Sequence, residues 1–165
     1  VERTLKNHID RRIFLAGLAG AGFAGAAPVL AARKKKEVRA VSLGRSGDRA
    51  NEGYDATAYV SSGAARSGSP EFELDWKGAT WRFESAAARA AFEQAPQSFA
   101  PQFGGYCTYA MSLRKIVPAD PEVWRIRDGQ LYLFAAKPGA VKFDKGAAAM
   151  IAKAHAYWTT LALVE

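Results

Sequence analysis

Cysteine occurs once in this chain, at Cys107, within the stretch FGGYCTYAM. One cysteine excludes an internal disulfide, so the fold must be held by its apolar core. Histidine and methionine are nearly as scarce, with His8, His155, Met111 and Met150 the full set. The acidic residues are scattered and form no spaced carboxylate pair for acid–base work. No phosphate-binding glycine loop is present in the body of the chain; GLAGAGFAG mimics one but lies near the N-terminus, within an apolar run. No sequence repeat or heptad array is visible. The body also lacks a charge excess, although the formal net charge is +7. Residues 1–36 carry eight Lys/Arg against two Asp/Glu, and residues 37–165 carry fifteen against fourteen. The basic excess belongs to the first segment, which removes the electrostatic case for a nucleic-acid partner.

That first segment reads as an export signal. Arg11-Arg12-Ile13-Phe14-Leu15 resembles the twin-arginine consensus, and a weakly apolar Gly/Ala-rich run, 13–32, follows it. The run is about long enough to span a bilayer, and basic Arg33–Lys36 follow directly, so a cleaved signal and an uncleaved anchor are both open. Candidate cuts follow Ala26, Ala31 or Ala40. The expected organisation is a signal and basic flank at 1–40, a polar Gly-rich linker at 41–53 and one domain at 54–165. The expected location is the periplasm, with membrane contact only through the signal or anchor.

Within the domain, YDATAYV (54–60) reads as a short strand. EFELDWKGATWRF reads as a hairpin turning at Lys77-Gly78. That register sets Trp76 opposite Ala79, Leu74 opposite Trp81 and Phe72 opposite Phe83 on one face, with Glu73 opposite Arg82 on the other. Three aromatics on one face read as core, with a ligand pocket as the alternative. Ser85 caps a helix that Pro96 ends. Residues 107–113 read as a short helix. A second hairpin turns at Asp128-Gly129, with Trp124, Ile126, Leu131 and Leu133 inward. Ala147 to Leu163 has the spacing of a helix stripe. The fold class is α+β: a small antiparallel sheet of two β-hairpins with two packed helices.

YDATAY, the run GSPEFELDWKGATWRFESAAARAAFEQAPQSFAPQFGGYC and DPEVWRIRDGQLYLF together resemble an exported bacterial YHS-domain protein over residues 54–158. The resemblance implies a small α+β module of a kind found in some metal-handling proteins. The soft ligands of the metal-binding version are missing: Ala58, Glu84, Ala88 and Lys77 stand at their places.

What remains is a different candidate set. Cys107 and Met111 are spaced i, i+4, so a helix puts both sulfurs on one face. With His155 they make a thiolate, thioether and imidazole set suited to Cu(I). The functional expectation is a binding module, taking copper or another soft metal through Cys107, Met111 and His155, rather than an enzyme. Two alternatives stay open. One is a thiol-based redox enzyme or sensor at Cys107, placed near a helix N-terminus behind Gly104-Gly105. The other is a structural or partner-binding domain in which Met111 and Cys107 fill core space.

Overall fold

The structure, a computed structural model, describes residues 34–165. The twin-arginine stretch, its apolar run and the candidate cuts after Ala26 and Ala31 lie outside the described residues. Residues 34–165 form one compact α+β unit.

The hairpins form where turn chemistry demands them. Strands β2 (Ser69–Trp76) and β3 (Ala79–Phe83) turn at Lys77-Gly78; β4 (Asp120–Arg127) and β5 (Gln130–Phe134) turn at Asp128-Gly129. Both turns put two successive residues at positive φ, the mirror-image geometry that suits a two-residue hairpin loop. Trp76 pairs with Ala79, Leu74 with Trp81 and Glu73 with Arg82, as the alternation predicts. Phe72 does not pair with Phe83. The register shifts between Ser69 and Glu73, and Ser69 takes that place. Ile126 pairs with Leu131 but is exposed, while Tyr132 and Phe134 join Leu131 and Leu133 inside.

The hairpins do not share a sheet as the sequence predicts; each is its own two-stranded ladder. A third ladder is parallel and joins β1 (Glu37–Arg39) to β6 (Ala162–Val164). Tyr54–Val60 is not a strand. Tyr54 makes one isolated bridge with Ser67, and helix α1 begins at once (Ala58–Ser61). The buried Asp55 carboxylate accepts from Thr57 N at 2.8 Å, a local turn that outcompetes extension. Helix α2 (Ala86–Gln94) starts where Ser85 Oγ accepts from Ala88 N, and Pro96 opens the single-turn α3 (Pro96–Phe99). Helix α4 is Thr108–Ser112. Helix α5 (Lys137–Trp158) starts ten residues before the expected position and ends before Leu161. Pro138 in its first turn is a helix starter rather than a breaker. Residues 41–53, read as a linker, are packed: Val41 and Ala50 are buried in the first core.

The two hairpins are parts of a larger duplication that the sequence conceals. Residues 50–99 and 102–151 follow the same path. Asn51-Glu52-Gly53 and Phe103-Gly104-Gly105 are matching left-handed runs, with φ of 51, 54 and 80° against 56, 62 and 82°. Tyr54 bridges Ser67, and Tyr106 bridges Pro118. A one-turn helix, a hairpin with one register shift and a second helix follow in each half. In the first half Phe92 packs on Trp81 and Phe83; in the second, Phe143 packs on Tyr132 and Phe134. The second helix breaks at matching places, at Ala95 (φ −143°, ψ 62°) and at Gly146 (φ −162°, ψ 49°). Beyond that break the first half makes one turn, whereas α5 runs on to Trp158.

Each half has its own core. The first centres on Ala79, Trp81, Phe83 and Phe92; the second, larger core holds Leu131, Leu133, Phe134, Phe143 and Met150. Tyr59 belongs to the first half but is buried in the second core, where its hydroxyl donates to Pro121 O at 3.0 Å. Burial holds its hydroxyl pKa far above the usual tyrosine value, so it is a donor and not a phenolate.

Candidate functional site

The sequence-predicted trio divides in space. Cys107 is the N-cap of α4, and its Sγ accepts a hydrogen bond from Ala110 N at 3.4 Å. Met111, one turn on, is fully buried in the same core. Cys107 thus stands just before the five-residue helix that carries Met111, rather than within it. His155 lies on α5, which packs against α4, but it is exposed, with its ring edge-on to buried Phe103 at 4.9 Å between centroids. Two members are thus inside the core and one is on the surface. Among the described residues, no three His, Cys, Asp or Glu side chains gather into a metal-holding cluster.

The duplication explains what Cys107 does locally. Its counterpart in the first half is Asp55, which also follows a left-handed run and a tyrosine but precedes the N-cap of its one-turn helix, Thr57, by two residues. Asp55 is completely buried and fully used. Oδ1 accepts from Thr57 N and Thr57 Oγ1, and Oδ2 accepts from Glu84 N, all at 2.8 Å. Cys107 makes a smaller tie, one weak sulfur acceptor for Ala110 N three residues on, where Asp55 accepts from Thr57 N two residues on. At 3 % exposure Cys107 is shielded from a substrate in solution.

A second place has more of the character of a site. A cavity of about 160 Å³ lies between the first hairpin, the left-handed turn of the second half and the far end of α5. Trp76, Trp81, Phe103 and Trp158 wall it, and Lys77 is the one charged residue among the described residues that line it. The rings are fixed by mutual packing. Trp76 stands edge-on to Trp81 (5.7 Å) and Phe92 (5.5 Å), and Trp158 stands edge-on to Phe103 (6.2 Å). Trp81 Nε1 donates to Trp76 O at 3.1 Å, which ties the two strands at the wall. The exposed Lys77 ammonium sits 4.6 Å from the centroid of the Trp76 ring.

Gly104 lets the chain close this cavity. Segment 40–42 crosses the left-handed turn so closely that a Cβ at Gly104 would overlap Ala40 O. Ser42 N donates to Gly104 O at 2.8 Å across the crossing. The aromatic alternation of β2 and β3 predicts Trp76 and Trp81 on one face. Phe103, Trp158 and the crossing at Ala40 come from distant parts of the chain and leave no local sequence signal.

Compared with known proteins, this chain matches no family model, no curated protein and no solved structure.

Proposed function

We propose that this chain is an exported, periplasmic binding module of YHS-like fold, and that its ligand sits in the aromatic cavity rather than at Cys107. The export reading is supported by Arg11–Leu15 and the apolar run behind them. The YHS-like reading is supported by the aromatic strands and turn positions of the two hairpins. The observation that carries the binding reading is the concave wall of four aromatic side chains with one flexible cation beside it. Pockets that recognise small molecules combine aromatic surface with a few placed polar groups, and here the four rings are joined by Lys77, Gln97 and Gln102.

The test uses the four tryptophan indole N–H signals in NMR. Trp76, Trp81 and Trp158 line the cavity; Trp124 packs on Tyr59 outside it and serves as an internal control. Small aromatic fragments are expected to shift the first three signals and leave Trp124 still. If no fragment at millimolar concentration moves them, the reading fails.

A soft-metal function through Cys107, Met111 and His155 is the second reading, favoured by the two buried sulfurs one turn apart. It requires the Ala110 N–H to give up Cys107 Sγ and the core to open toward α5. Metal analysis of protein folded with copper decides it. Stoichiometric copper that is lost in Cys107→Ser supports it, and equal copper in both proteins ends it.

A further inference from the structure

We infer that the aromatic cavity selects small planar anions, single-ring aromatic carboxylates, with Lys77 as the anion's partner. This rests on the binding reading above and assigns its ligand class.

Size comes first. The cavity, about 160 Å³ and partly open to solvent, has room for one ring with one substituent. The walls supply the ring's surroundings, since offset or edge-on contact with indole and phenyl rings favours another flat ring.

Charge decides among flat rings. No carboxylate lines the cavity, and Lys77 is its one charged lining residue among those described. The ammonium already rests on the Trp76 face, so a cationic ligand would compete with it for that face and be repelled by it. A neutral ring gains only the apolar contact. An anionic substituent adds an ion pair with the exposed Lys77 ammonium, which the Trp76 ring backs on one side. Gln97, also in the lining, carries amide N–H donors suited to the remaining carboxylate oxygen, whereas the Gln102 amide already donates to Gln130 Oε1.

The duplication supplies an independent reason to single out Lys77. The first position of a two-residue mirror-image turn favours Asn or Asp, and the second hairpin has Asp128 there. The first hairpin has Lys77 at φ 50°, a residue poorly suited to the left-handed region. Phe103, at φ 56°, repeats the pattern, because its counterpart is Asn51. Two lining residues are thus held in backbone conformations that the other half fills with better-suited types. Such strain collects at binding sites, where the side chain rather than the backbone is being selected.

Benzoate, benzamide and benzylammonium titrated against the tryptophan indole signals test the assignment. Benzoate is expected to bind at least about tenfold more tightly than benzamide, with benzylammonium weakest. Lys77→Asn removes the charge while suiting the turn. It is expected to weaken benzoate to within about twofold of benzamide and leave benzamide unchanged. Lys77→Gln, which keeps an unbranched stem, is the second variant should the first disturb the turn. Equal binding of benzoate and benzamide by the wild type, tighter binding of benzylammonium, or benzoate binding indifferent to both variants overturns the ligand class. If none of the three probes shifts Trp76, Trp81 or Trp158, the cavity itself is not the site, and the binding reading falls with it.

Discussion

The two halves of the molecule share one backbone and fill its special positions with opposite chemistry. The first half uses polar residues: Asn51 in the left-handed run and Asp55 in the turn before α1, each hydrogen-bonded inside. The second uses apolar or weakly polar ones, Phe103 and Cys107, and packs them into the larger core. The backbone path is therefore not dictated by any one side chain. Polar ties hold it in one half and apolar packing in the other, which is why the lone cysteine needs no partner to be explained.

Substitutions at matched positions sharpen that contrast, and Gly104 should give the largest effect. Gly104→Ala adds a Cβ at φ 62° against the Ala40 backbone, which has little room to move. A loss of about 3 kcal/mol or more is expected in urea unfolding. Glu52, its counterpart, already carries a side chain in the same conformation, so Glu52→Ala should lose about 1 kcal/mol or less. Comparable losses would show that the chain crossing is not what fixes the second half.

Asp55 and Cys107 come next. Asp55→Ala strands three donors that are now satisfied in the interior, and about 3 kcal/mol should be lost. Cys107→Ala gives up one weak cap and a small buried volume, and should lose about 1 kcal/mol. If Cys107→Ala matches Asp55→Ala, Cys107 does more than cap. The smallest effect should be at the turn. Lys77→Asn is expected to stabilise the fold by about 0.5 kcal/mol, because Asn accepts the left-handed conformation more readily. A loss instead would mean that the Lys77 contact with Trp76 outweighs the turn strain.

Local rules made part of this fold legible. Lys77-Gly78 and Asp128-Gly129 fix both turns, Ser85 caps α2, and the Leu74–Trp81 and Glu73–Arg82 pairings follow from alternation alone. Positions 54–60 read as a strand because Tyr, Thr and Val suit one, while the deciding interactions are the Asp55 side-chain bonds, one of them to Glu84 N, far along the chain. The start of α5 was hidden by Pro138 and Gly139; a Cβ at Gly139 would stand 3.2 Å from Tyr109 Cβ, a tight contact that favours the glycine. The duplication escaped notice because few identities carry it, among them Tyr54 with Tyr106, Gly78 with Gly129 and Phe92 with Phe143. Its spacing also slips, from 52 residues between the tyrosines to 51 between the turn glycines.

For the candidate sites, a short helix carrying Met111 was readable from the sequence, whereas the N-cap position of Cys107 and the exposure of His155 depend on backbone and packing that local spacing does not carry. The cavity was half readable. Trp76 and Trp81 follow from strand alternation, but Phe103 and Trp158 reach them only through tertiary contacts between the halves.

The parallel pairing of β1 with β6 has a mechanical meaning. Glu37 lies beside Ala162 and Arg39 beside Val164, so the chain enters the ladder at one end and leaves it at the other. Tension applied through the flanking residues would pull the two strands past each other in shear, loading the ladder bonds together with those from Ala40 N to Val164 O and from Ala162 N to Lys36 O. An antiparallel terminal pair loaded from one end would instead unzip one bond at a time. The short ladder thus joins the first and last strands of the fold, and a pull on them loads its hydrogen bonds together rather than in sequence.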